Sequence, residues 1–219
     1  MEMRKAWLIG CLAVLFALAA CHPEEPHHTI VVLGSESYVI PMWELIPDTL
    51  QQAFFDDFGI VPDEGYFPPS IEGAYRIGRK QFVASSLHYD LSDTLDMYLK
   101  VVDQHNRVAR VEFYEGGSVW TETAFVAGTG QQFSLYFVET RELTSYGTTH
   151  AHDRFVLFTG SIGADGIRNL RFGSMILSAA NGEDQYVGAF IPGWYFIYKD
   201  GDGLSEPTDF FNQEEGDDD

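Results

Sequence analysis

The sequence predicts an all-β domain: an antiparallel meander of eight strands that closes into a barrel, with one N-terminal helix. Three observations carry this. Between Ala74 and Tyr198, apolar residues recur in eight short runs, several with strict alternation, as in Phe133, Leu135 and Phe137 against Gln132, Ser134 and Tyr136. The runs are joined by turn chemistry such as Gly116-Gly117, Gly128-Thr129-Gly130 and Asn181-Gly182. No connection is long enough for a crossover helix, so neighbouring strands pair antiparallel. Closure removes both exposed edges of such a meander, and an eight-stranded interior is filled by side chains or holds one small ligand. A two-sheet sandwich, or an open sheet covered by the helix, are the other arrangements of the same strands.

The bulk numbers exclude some functions. The chain has 219 residues, 13 Lys and Arg, 33 Asp and Glu, and a net charge of −20. Nucleic-acid binding through phosphates needs the opposite sign, and so does charge-driven docking on an anionic membrane. A hydrophobic content of 45% with 15% aromatics argues against disorder of the whole chain.

The elements follow in chain order. In residues 1–20, Arg4 and Lys5 precede an uncharged apolar run from Trp7 to Ala20. The run is too short to span a bilayer and has the form of a secretory signal. Leu18-Ala19-Ala20-Cys21 resembles the bacterial lipobox. That resemblance implies cleavage before Cys21 and acylation of Cys21, and several acyl chains on one residue give stable anchoring. The implied partner is membrane lipid held through Cys21. The implied location is the cell envelope, at the outer membrane of a Gram-negative bacterium. Cys11, the other cysteine, falls in the signal, so the mature chain has neither disulfide nor thiolate chemistry.

Residues 21–40, with Pro23-Glu24-Glu25-Pro26, read as an acidic tether. The helix plus barrel domain is expected over 41–199. Pro47 and Asp48 open the helix, Leu50, Phe54 and Phe58 make its apolar stripe, and Gly59 stops it. Pro68 and Pro69 then force an extended path. The eight strands are expected at Ala74–Ser85, Thr94–Val102, Arg107–Tyr114, Ser118–Ala127, Gln131–Leu143, His150–Gly160, Gly166–Ser178 and Gln185–Tyr198. From Ser70 to Lys199 the net charge is only −3. Residues 200–219 carry nine acids and no base and read as a disordered, solvated tail.

Lipobox, short acidic tether, amphipathic helix and then Pro68-Pro69-Ser70-Ile71-Glu72-Gly73-Ala74-Tyr75 before the strands resemble uncharacterised lipocalin-like lipoproteins of Bacteroidetes. In lipocalins a Gly-x-Trp at the start of the first strand closes the barrel base. Gly73-Ala74-Tyr75 stands at the matching place, with Tyr75 instead of Trp. The resemblance implies an extracytoplasmic ligand-binding or structural role and brings no catalytic residues.

Chemical motifs are sparse. His150 and His152 share a strand face, and with Asp153 they form a candidate zinc or copper site. Asp200, Asp202, Ser205 and Glu206 make an acidic loop that lacks the glycine and spacing of an EF-hand. There is no Gly-x-Ser-x-Gly and no phosphate-binding glycine loop, so the chain is read as no enzyme, and no cofactor is expected. Trp120, Trp194 and Phe196, with Tyr75, are the candidate lining of an apolar cavity. The expected function is binding of a small hydrophobic ligand by a membrane-anchored lipoprotein. The alternative is a structural or protein-interaction lipoprotein with a filled barrel.

Overall fold

The computed structural model describes residues 40–59, 62–86, 97–115, 117–145, 148–179 and 191–213. The expected signal, Cys21 and all but the last residue of the expected tether therefore lie outside the described residues.

Two short helices open the domain, α1 at Met42–Leu45 and α2 at Asp48–Phe58. Pro47, with φ −54°, precedes α2, and Gly59 ends it in the left-handed region at φ 67°, donating its N–H to the Phe55 carbonyl at 3.1 Å. Phe54 and Phe58 are fully buried against the outer wall of the barrel, where Phe54 meets Phe155 and Tyr195 edge-on. Each such phenyl contributes roughly 1.5–3 kcal/mol. Gly173 makes the seat possible: a Cβ there would lie 2.9 Å from both rings. Polar contacts fix the helix. The Tyr195 hydroxyl donates to Asp57 at 2.6 Å, and Arg171 donates to the Phe58 carbonyl.

The strands are β1 (Tyr66–Phe67), β2 (Gly73–Ile77), β3 (Lys80–Ser85), β4 (Met97–His105), β5 (Val108–Glu115) and β6 (Ser118–Thr129). They continue with β7 (Gln132–Ser145), β8 (Thr148–Gly163), β9 (Gly166–Ala179), β10 (Tyr195–Asp200) and β11 (Leu204–Pro207). Eight of them close a ring: β2-β4-β5-β6-β7-β8-β9-β11 and back to β2. All its pairings are antiparallel. The expected barrel is thus the observed fold. The first expected strand kinks at Gly78-Arg79 into β2 and β3. The last expected strand is described from Tyr195 as β10, and beyond it the chain bends at 201–203 into β11, so the closing seam is β10 on β3, then β11 on β2.

One expectation is corrected. The acidic tail does not begin at Asp200. Leu204–Pro207 is the strand that closes the ring, with Ser205 opposite Ile167 and Glu206 opposite Arg76. Ser205 is fully buried. Beyond it, α3 (Phe210–Gln213) docks Phe210 flat on Tyr98 at 3.9 Å between ring centres, and Phe211 is buried. Charge density misled the sequence reading. Two aromatics, and a strand whose one acid, Glu206, is exposed, outweigh it.

The hairpins β4–β5, β6–β7 and β8–β9 lie at one end, the base. The opposite ends of the same strands make the other, the mouth. Toward the base the interior is filled by Ile71, Tyr75, Val101, Phe133, Leu135, Phe158, Phe172 and their neighbours, each exposed by 5% or less. Tyr75 belongs to this plug. Its hydroxyl is spent on the carbonyls of Ile71 and Glu72, at 3.3 and 3.1 Å.

Candidate functional site at the barrel mouth

The strand period of two carries the inward face from the plug into different chemistry. On β7, Phe133, Leu135 and Phe137 are followed on the same face by Glu139 and Arg141. On β8, Phe158 and Val156 lead to Arg154 and His152. On β6, Val126 and Ala124 lead to Glu122 and Trp120. On β9, Phe172 leads to Ser174. Trp194 and Phe196 face the same way from the β10 side, 5.7 Å apart. The lumen therefore changes from apolar to charged and aromatic within about two residue pairs.

Glu139 is the centre of the cluster. Its side chain is 1% exposed and is held between two guanidinium groups. Arg141 Nε lies 2.8 Å from Oε2, and Arg154 Nε donates to Oε1 at 2.5 Å. Arg141 also lies over the Trp120 ring, 3.8 Å from its centre. Burial pushes the Glu122 carboxyl up, the Glu139 charge adds to this, and Arg141 opposes it. Burial lowers the Arg141 guanidinium, against the support of Glu139. Burial also lowers His152, helped by Arg154, so His152 favours its neutral form. Among the described residues, the inward polar atoms buried without a hydrogen-bond partner include Arg141 Nη2, Ser174 Oγ and Trp194 Nε1. Each such group costs about 1–3 kcal/mol in a closed interior.

The wall beside this cluster is divided. β6 and β7 pair only from Phe125↔Tyr136 to Thr129↔Gln132. Above that point Ser118–Ala124 pairs with β5 alone, and Phe137–Ser145 with β8 alone. Side chains span the divide instead of hydrogen bonds: Trp120 and Glu122 from β6, Arg141 from β7. At its foot the Tyr136 hydroxyl donates to the Ile40 carbonyl at 3.0 Å. Burial raises that hydroxyl to about 12.

The structure brings Trp120, Trp194 and Phe196 to the mouth half of the lumen but puts Tyr75 in the plug. The proposed metal set is not assembled. His152 points inward, whereas Asp153 points outward and accepts from Thr140 Oγ1 at 2.8 Å and Ser178 Oγ at 2.7 Å. Adjacent strand residues face opposite sides, so these two cannot share an ion. The side chain of His150 lies outside what is described. Among the described residues no three His, Cys, Asp or Glu side chains converge as metal ligands. Sequence reasoning missed Glu139, Arg141, Arg154 and Ser174. Continuing the Phe133-Leu135-Phe137 alternation by two more steps would have placed the first two in the lumen.

Comparison with family models, with curated proteins and with solved structures finds no match to this chain. The site is therefore read from its own chemistry. Two guanidiniums, two carboxylates and two indoles around a divided wall suit a small molecule with an apolar or flat body and polar groups at one end. Among the described residues no helix is long and apolar enough to cross a membrane.

Proposed function

We propose that this chain is an exported lipoprotein, anchored through acylated Cys21, that binds a small amphipathic molecule in the mouth half of its barrel. The observation that carries the binding reading is the set of buried, unpartnered polar atoms on the inward face, Arg141 Nη2, Ser174 Oγ and Trp194 Nε1. A barrel kept only for stability gains more from apolar residues there than from a desolvated ion cluster. The anchor rests on the lipobox and the charged, apolar start of the chain. The relation to lipocalin-like lipoproteins rests on the Pro68–Tyr75 stretch together with the meander. Chemistry on the ligand is not part of the reading, since the cluster has no activated nucleophile.

The filled plug and the exposed aromatics Tyr66 and Phe67, at 75% and 87%, favour a second reading: a structural lipoprotein that meets another protein. Native mass spectrometry of the chain purified from its own host separates the two. A retained small-molecule mass that disappears in Arg141→Met supports binding. No non-protein mass on the wild-type chain sinks it.

A further inference from the structure

The closing seam holds a second feature that the mouth does not use. Where β10 passes into β11, the bend at 201–203 brings the carboxylates of Asp200 and Asp202 together, opposite the Gly78-Arg79 kink of the first strand. Three carboxylate oxygens converge on one point. Asp200 Oδ1, Asp202 Oδ2 and Asp202 Oδ1 lie 3.2, 3.3 and 3.6 Å from where a Cβ on Gly78 would sit. A glycine at 78 leaves that point open.

Burial, with the neighbouring Asp202 carboxylate, pushes the Asp200 carboxyl up. Asp200 is only 5% exposed. Its Oδ2 accepts from the Ser205 hydroxyl at 2.6 Å, but Oδ1 is buried with no hydrogen-bond partner. Asp202 Oδ1 accepts from the Leu204 N–H at 3.1 Å. Among the described residues neither carboxylate forms an ion pair. Lys80, opposite Asp200 across the seam, directs its ammonium to Glu115 and over the Tyr198 ring. An unpaired buried carboxylate oxygen beside a second carboxylate is costly unless a cation or a proton joins them. A groove of about 370 Å³, lined by Gly78, Asp202 and Glu206 together with Arg76 and Arg79, opens the place to solvent ions.

We infer that Asp200 and Asp202 bind a calcium ion at the seam, tying the last strand to the kink of the first. Calcium fits because it takes oxygen ligands in flexible number, accepts bidentate carboxylates and fills its remaining positions with water. Two carboxylates place the site in the weak class of extracellular modules, with a dissociation constant of about 0.1–1 mM. Magnesium, which demands a near-ideal octahedron, fits the two oxygens of Asp202 poorly.

The test is thermal unfolding of the full chain in detergent, titrated with calcium chloride or magnesium chloride. Asp200→Asn and Asp202→Asn are run beside the wild type, all with the same acidic C-terminus. The wild-type midpoint should rise with calcium and saturate in the millimolar range, with magnesium weaker. Each Asn variant should lose at least tenfold in calcium affinity, while Asp200→Asn without calcium melts no lower than wild type because a buried charge is gone. Two results overturn the site. One is a wild-type midpoint indifferent to calcium. The other is a calcium response retained in both variants, which assigns the binding to acids elsewhere. If Asp200→Asn does not fold, the Asp202→Asn titration decides alone.

Discussion

The two halves of the barrel interior are built from the same strands in the same register, yet they do opposite things. Toward the base, inward residues are Phe, Leu, Ile and Val, fully buried and in mutual contact. Toward the mouth, the next inward residues on β6 to β9 are Glu139, Arg141, Arg154, Glu122 and Ser174, while β4 and β5 stay apolar with Met97 and Phe113. Nothing in strand geometry requires the change. An apolar mouth would spare the desolvation of four charges, so its chemistry is a departure from the most stable solution. The base is where the fold is held, and the mouth is where stability is given up for another purpose.

Substitutions should separate the halves. The largest loss is expected at the base. Phe158, fully buried, packs on Phe172 at 5.0 Å and on Phe113 at 5.8 Å. Phe158→Ala should cost about 3–5 kcal/mol in a denaturant titration. Glu139→Gln comes close behind, at about 3 kcal/mol or more, since it strands two guanidiniums. The triple change Glu139→Leu, Arg141→Met, Arg154→Leu should recover most of that loss, whereas no polar replacement at Phe158 will. A triple variant less stable than Glu139→Gln would show that the cluster is structural after all.

Smaller effects sharpen the picture. Tyr136→Phe removes the bond to the Ile40 carbonyl at the foot of the divide and should cost about 1 kcal/mol with the barrel intact by circular dichroism. The weakest signal concerns pH. The folded state raises the Glu122 pKa above its ordinary 4.5, so it holds that proton more tightly than the unfolded chain does. Stability from this group is therefore lost as pH rises from about 4.5 through the raised value. Glu122→Gln should flatten that slope, so that near neutral pH the variant melts at or above wild type. A variant that melts lower at every pH would remove the account of Glu122 as a carboxylate disfavoured by burial and, secondly, by Glu139.

Most of the fold was legible in the sequence, because alternation and turn residues are local signals. The helix was legible in Leu50, Phe54, Phe58 and Gly59. The kink at Gly78 and the closing strand at Leu204–Pro207 were not. A strand flanked by Asp200, Asp202 and Asp209 looks like tail until its partners on β2 and β9 are known. The candidate site was half legible. Trp120, Trp194 and Phe196 stood out as aromatics, whereas Glu139 and Arg141 read as an ordinary solvated strand end. Whether a charge at such an end faces water or lumen depends on how far the neighbouring strands extend. β7 and β8 run on past the point where β6 leaves them, and no local pattern announces that.

The most direct measurement is hydrogen exchange of the full chain with and without a small-molecule extract of its host envelope. Without the extract, amides of β6 from Ser118 to Ala124 and of β7 from Phe137 to Thr144 that face the divide should exchange well ahead of those in β4 and β5. With the extract, protection should rise in those mouth segments and around Ser174, while the base stays unchanged. Uniform protection that the extract leaves untouched, or a change confined to the base, would contradict the division of the barrel into a structural plug and a binding mouth.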